Sequence, residues 1–276
     1  MNIAEKKASS FLLRCFVYLS VILTTGCLGF LILYILINGV PHLSPELFAW
    51  NYTSDNCSML PAIFNTLEMI LLALLIALPF GIGSAVYLVE YAKRGNKLVE
   101  LVRITTETLT GIPSIIYGLF GMLLFVTKLG WRPSVMAGAC TLAIMILPVI
   151  MRTTEEALMA VPDSYREGSF GLGAGKLRTV FQIVLPSAVP GILSGVILAV
   201  GRIVGETAAL IYTAGTVAGI ATNLFSSGRT LAVHMYCLSG EALHTDEAYA
   251  TAVVLLVIVI MINLLSSKIA KRVTKG

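Results

Sequence analysis

Residues 161–191 read VPDSYREGSFGLGAGKLRTVFQIVLPSAVPG. The stretch is a polar island between two long apolar runs, roughly 134–151 and 190–213. Pro162 suits a first helical turn, and Asp163 follows where the positive end of a helix favours an acid. A short helix is expected over 163–170, ended by Gly171 or Gly173. Leu177, Val180, Phe181 and Val184 recur on one face of a second amphipathic turn, which Pro186 is expected to stop. The glycines invite a phosphate-loop reading, but the spacing rejects it. Counting back from Gly175-Lys176, the first glycine position holds Phe170, and Leu177 stands where a Ser or Thr is needed. The island is therefore a connector between membrane helices with two short helices of its own. From the residues alone, a surface connector lying on lipid fits it equally well.

The flanks set the class. The chain has 276 residues, is 57% hydrophobic and only 12% charged, and its mean hydropathy is +0.89. Soluble domains carry about 25% charge, so a polytopic membrane protein is expected. About 20 apolar residues cross a bilayer, and six candidate spans follow, near 12–37, 60–91, 112–127, 134–151, 190–213 and 249–267. The first is longer than a signal-peptide core and is read as a retained helix. Pro79 predicts a kink or break in the second, and Pro113 an irregular start to the third. Of 19 lysines and arginines, only Lys128, Arg132 and Arg229 fall on one side. That bias predicts both termini in the cytoplasm and agrees with an even number of spans. The basic residues form no nucleic-acid stripe. The alternation of a membrane barrel is absent.

Five cysteines carry no CxxC or Cys/His spacing, so neither a metal nor a cofactor is expected. Cys57 and Cys237 fall in outer loops, either as two thiols or as a disulfide. HExxH and GxSxG are absent, which argues against a membrane enzyme.

The fifth span contains GRIVGETAAL, 201–210. Charges inside a span are costly and must face protein or water. Read as one helix, the span places Arg202 near its middle and Glu206 four residues on, on the same face. Gly201 and Gly205 frame them as GxxxG, and Gly191 and Gly195 form a second such pair. The two charges form either an internal ion pair that locks packing or a substrate-pathway site. For the second, Arg202 offers a planar fork that matches an oxyanion, and Glu206 keeps its charge from trapping one. Thr207, Thr213 and Thr216 add hydroxyls along the same route or bond back to their own helix. Arg152 is an inner-mouth residue or a positive-inside anchor. Glu68 is read as a packing acid, and Glu155 and Glu156 as solvated.

Glu167, Gly168, Ser169, Gly173, Ile183, Leu185 and Pro186 fit the spacing of the EAA loop of ABC-importer permeases, with Gly168 and Ser169 in place of the two alanines. The chain from about residue 60 onward is similar to PstA-type phosphate-import permeases through GIPSIIYGLFG (111–121), LPVIMRTTEEAL (147–158), LPSAVPGILSGVILAVGRIVGETAAL (185–210) and TLAVHMY (230–236). The resemblance implies an all-α, six-span protein of MetI-like architecture. It has an N-terminal helix and outer loop over 1–59 and a permease domain over 60–276, with a coupling loop at 161–187. It implies a permease without its own ATPase site that moves inorganic phosphate across a bacterial or archaeal plasma membrane. The implied partners are a PstC-type permease, an ATPase dimer that receives Glu167, Gly168, Ser169, Gly173, Leu185 and Pro186, an extracytoplasmic phosphate-binding protein, and lipid. A permease for another oxyanion or small polar solute remains the nearest alternative. An ion-coupled transporter or anion channel would need no ATPase.

Overall fold

The computed structural model describes residues 3–93, 95–240 and 244–275, with side chains from 13 to 268. The basic markers Lys6, Lys7, Arg94, Lys271, Arg272 and Lys275 fall outside the described side chains. Every regular element among the described residues is helical. The helices are α1 (Ile3–Gly39), α2 (Leu60–Val86), α3 (Lys97–Thr110), α4 (Ser114–Gly121), α5 (Val135–Met159), α6 (Asp163–Gly171), α7 (Lys176–Thr179), α8 (Leu185–Val204), α9 (Ala208–Thr213), α10 (Leu231–Gly240) and α11 (Thr245–Lys275). Five are long and apolar enough to cross a membrane, and α3 with the α4 segment makes a sixth candidate, bent by 104°.

Several expectations are corrected. The helix of α2 continues through Pro79 and ends in a π turn, Tyr87–Tyr91. The third span, Ser114–Lys128, is preceded by amphipathic α3, started by Asn96, whose side chain accepts from the Leu98 N–H at 3.0 Å. Ile112 and Pro113 separate the two helices, as the proline implied. The fourth span runs on to Met159, so Arg152, Glu155 and Glu156 stand on its last turns. Glu155 is buried and pairs with Arg103 instead of facing solvent, whereas Glu156 is exposed and pairs with Arg152. Pro186 does not stop the amphipathic turn. α7, a π turn at Val180–Val184 and α8 form one 29-residue rod, Lys176–Val204, and Pro186 sits inside it, directly after the π turn. The π turn rotates the side chains, so Val180 and Val184 are buried while Leu177 and Phe181 are exposed.

The fifth span is not one helix. α8 ends at Val204, residues 205–207 leave the helix, and α9 resumes at Ala208.

The core is built on small residues, as expected where lipid supplies no hydrophobic drive and close approach supplies the contact. Met69, Ala73 and Ala77 of α2 meet Leu142, Ile146 and Ile150 of α5, with Ala199 and Ile203 of α8 and Leu210 of α9. A Cβ on Gly81 would lie 2.7 Å from Ile150. Gly191 and Gly195 of α8 press on Ala157 and Thr153 of α5. Gly118 and Gly121 of α4 do the same against α9, where a Cβ on Gly118 would lie 2.7 Å from the Ala209 Cα. The end of α9 and the segment after it supply carbonyls to the start of α5. Thr213, Ser226 and Leu224 accept from the N–H groups of Ser134, Val135 and Met136 at 2.9, 3.0 and 2.8 Å. These are donors that a helix start leaves without intrahelical partners.

Candidate functional site

Gly205 opens the break. Its backbone sits at φ −88° and ψ 0°, and the Glu206 N–H turns back to the Ile203 carbonyl at 3.1 Å. The carboxylate of Glu206 then accepts from the Ala209 N–H at 3.0 Å, satisfying a donor at the start of α9. Glu206 is 8% exposed. Its acid thus helps to hold the break together. No ion pair joins it to Arg202 among the described residues, because the break removes the i,i+4 geometry. Arg202 stands in the last turn of α8, not mid-helix, and is half-exposed. Tyr117 of α4 is buried. The Tyr117 hydroxyl donates to the Leu109 carbonyl at the end of α3, at 2.7 Å.

The glycine frame divides. Gly191 and Gly195 pack on α5, whereas nothing approaches Gly201 within 4 Å and Gly205 meets only its own helix. Gly201, Arg202, Gly205 and Thr207 are all accessible, bare backbone beside a guanidinium. Non-helical backbone inside a span is tolerated where it lies in protein or lines water. Thr213 bonds back to the Ala209 carbonyl at 2.8 Å, the bland alternative for its hydroxyl. Thr207 starts α9 without a side-chain capping bond. Because Thr153 lies against Gly195, Arg152 sits about two turns, ~10 Å, from Arg202 along the bundle.

The loop at 161–187 keeps the expected short helix, with α6 ending at Gly171. Gly173 adopts φ +83°, a conformation that glycine reaches without a Cβ penalty. Ser169 meets Thr179 hydroxyl to hydroxyl at 2.8 Å and pins α6 to α7. Nothing lies within 4 Å of Gly168. Glu167 is exposed, Leu185 half-buried and Pro186 exposed. Beside Glu167 the loop exposes Tyr165, Phe170, Leu172 and Leu177, Leu172 at 90%. Contiguous apolar exposure of this kind marks an interaction face.

Three features escape sequence reasoning. Asn65 of α2 donates to the Gly219 and Arg229 carbonyls at 3.0 and 3.2 Å and accepts from the Ala221 N–H at 3.0 Å, pinning the segment before α10. Arg229 is buried with its guanidinium 4.6 Å over the Tyr52 ring, a cation–π contact. His234, on the short and non-spanning α10, is held neutral: burial first and then the Arg229 charge push its pKa down to about 3. Each depends on partners far apart in sequence. Among the described residues, no disulfide joins Cys57 and Cys237. The Cys57 Sγ instead faces His244 Nδ1 at 3.3 Å.

Residues 77–275 match the family described as binding-protein-dependent transport system inner membrane component. The chain is 35% identical over 268 residues to the probable ABC transporter permease protein YqgI of Bacillus subtilis, covering 87% of this chain and 89% of that one. It is 31% identical over 255 residues to the phosphate transport system permease protein PstA of Haemophilus influenzae, covering 90% and 88%. A bacterial ABC transporter involved in the import of the acidic polysaccharide alginate superposes with a TM-score of 0.65 at 17% identity, over 98% of this chain and 97% of that one, a likeness of fold. With the helical bundle and the loop spacing already described, these matches make the chain a member of the binding-protein-dependent inner membrane component family, the multi-pass permeases of ABC importers.

Proposed function

We propose that this permease carries inorganic phosphate inward, and that Arg202 is the group that meets it. The observation that carries the reading is the break at Gly205. Among the described residues it leaves Arg202 without a carboxylate partner, and accessible, in a chain whose relatives include phosphate transport permeases. A guanidinium presents paired donors that match an oxyanion's oxygens. The other proposed pathway residues are Glu206, which positions the break, Thr207 beside it, and Arg152 toward the inner mouth. The open face of Gly201 and Gly205 suits a second, PstC-type permease helix, so that the pathway forms between two subunits. The exposed face of α6, with Glu167, Gly168, Ser169 and Gly173, together with Leu185 and Pro186, suits docking to a separate ATPase dimer. This chain would then hydrolyse no ATP itself. The sidedness of the basic residues supports cytoplasmic termini, and an extracytoplasmic phosphate-binding protein would load the outer side.

The test is uptake by the complete importer in proteoliposomes loaded with ATP. Labelled phosphate is expected to enter, sulfate to enter far more slowly, and Arg202→Gln to abolish uptake while the subunits still co-purify. Uptake of phosphate by Arg202→Gln at the wild-type rate would overturn the role of Arg202. Preference for sulfate or a neutral solute would overturn the phosphate reading. Uptake driven by an ion gradient without ATP would overturn the ATPase reading.

A further inference from the structure

The ATPase-docking reading leaves open how movement of a nine-residue surface helix reaches the membrane. Arg166, which precedes the exposed Glu167, points the other way, into the protein. Its side chain is 14% exposed, and its bonds use all five guanidinium N–H donors. Nη1 donates to the Val161 carbonyl at 2.8 Å and to Asp163 at 3.1 Å. Nη2 donates to the Leu158 carbonyl at 2.9 Å and to Glu90 at 2.8 Å. Nε donates to the same Glu90 oxygen at 3.1 Å. One side chain thus fastens three elements: the end of α5, the first turn of α6, and the π turn that ends α2. The Glu90 side chain is 8% exposed. A second contact runs beside it, with the Lys176 ammonium of α7 5.1 Å over the Tyr91 ring. Both short helices of the docking loop therefore grip the same five-residue turn, Tyr87–Tyr91.

From that turn α2 is helical without interruption up to Asn65, 25 residues away, or roughly 37 Å. There Asn65 holds the backbone of 219, 221 and 229, and Thr66 accepts from the Leu231 N–H at 2.9 Å. A rod gripped at both ends by the two irregular segments of the molecule is suited to carry a rigid-body shift between them.

We infer that the Glu90–Arg166 bond is the link through which the ATPase-docking helix moves α2, and that α2 carries that movement to the outer segment 219–229. Arg166 and Glu90 are positioning residues that touch neither substrate nor nucleotide. The inference rests on the reading of α6 as the docking helix.

A cycle of Glu90→Ala, Arg166→Met and the double variant in the reconstituted importer tests the link. Each single variant is expected to lower phosphate imported per ATP hydrolysed on the order of tenfold, with the ATPase still bound, and the double to do no worse than the poorer single. Wild-type ratios in the singles, or effects that multiply in the double, would overturn the link. If those variants do not assemble, Tyr91→Leu and Glu90→Gln replace them, with a lowered ratio again expected and a wild-type ratio overturning it. The far end is read at Thr222→Cys, an exposed position in the pinned segment, as the rate at which a membrane-impermeant maleimide adds mass there. ATP trapping is expected to change that rate severalfold in the otherwise wild-type importer and not in Glu90→Ala. A rate unchanged by trapping in the wild-type background, or changed equally in Glu90→Ala, overturns the transmission. Failure of Glu167→Cys to cross-link to the ATPase in the wild-type background would instead reject the docking reading itself.

Discussion

Glu206 shows how one residue serves two demands. Acids inside a span are costly, and the sequence pairs this one with Arg202 by spacing alone. The fold spends it on a backbone donor instead, which leaves Arg202 to face outward. Replacing Glu206 with Ala strands the Ala209 N–H in a buried site. The expected loss is about 1–3 kcal/mol, seen as a lower unfolding temperature of the purified importer. Glu206→Gln keeps a carbonyl acceptor, so its unfolding temperature should stay close to wild type. Equal losses in the two variants would show that the charge, not the hydrogen bond, holds the break. What the sequence revealed at this scale was the oddity of Arg202 and Glu206. It concealed their separation, because GRIVGET reads equally well as continuous helix and only the packing of α9 on α4 decides otherwise. Arg166 was hidden for a different reason: its partner Glu90 lies 76 positions away, and no local period connects them.

Elements divide into those that local chemistry determines and those that tertiary contact determines. α6 was legible because Pro162 and Asp163 begin it and glycines end it. α2, α5 and α11 were legible as apolar runs of sufficient length: the expected 60–91 matches α2 with its π turn, whereas α5 runs on past 151 to Met159 and α11 extends beyond 249–267 at both ends. The short α10 and the break before α9 were not legible, since their backbones are held by Thr66, Asn65 and Gly118 from elsewhere in the chain. In the α4–α9 contact Gly118 lies against the Ala209 backbone, where no side-chain rotation can relieve a clash. Gly118→Leu is expected to separate the two helices at a cost of several kcal/mol. The measurement is the yield of folded chain after detergent extraction, which should collapse. A normal yield would mean that α9 has room to shift, and that the break tolerates more than one position.

At the scale of the molecule, the bundle is closed on the face built from α2, α5 and α8 and open on the face that carries Gly201 and Gly205. Gly201→Leu separates folding from pairing. Nothing lies within 4 Å of that glycine, so the chain alone should keep its stability to within about 0.5 kcal/mol. If this face pairs with a second permease as proposed, recovery of that subunit with an affinity-tagged version of this chain should fall sharply; full recovery would place the pairing face elsewhere. The spans are also unequal as membrane segments. α1 presents an apolar window with none of it buried inside the protein, whereas Ser114–Lys128 has only 15 helical residues, roughly 22 Å of rise against a hydrocarbon core of about 30 Å. The first can partition into lipid as soon as it leaves the ribosome. The second is too short to settle alone, and its carbonyl and amide ends stay uncovered until α5 and α9 have been synthesised to receive it. Biogenesis of this subunit is therefore not a simple stitching of successive helices. The translocon must hold one half-inserted segment at its lateral gate while the residues from 129 through to Thr213 are made.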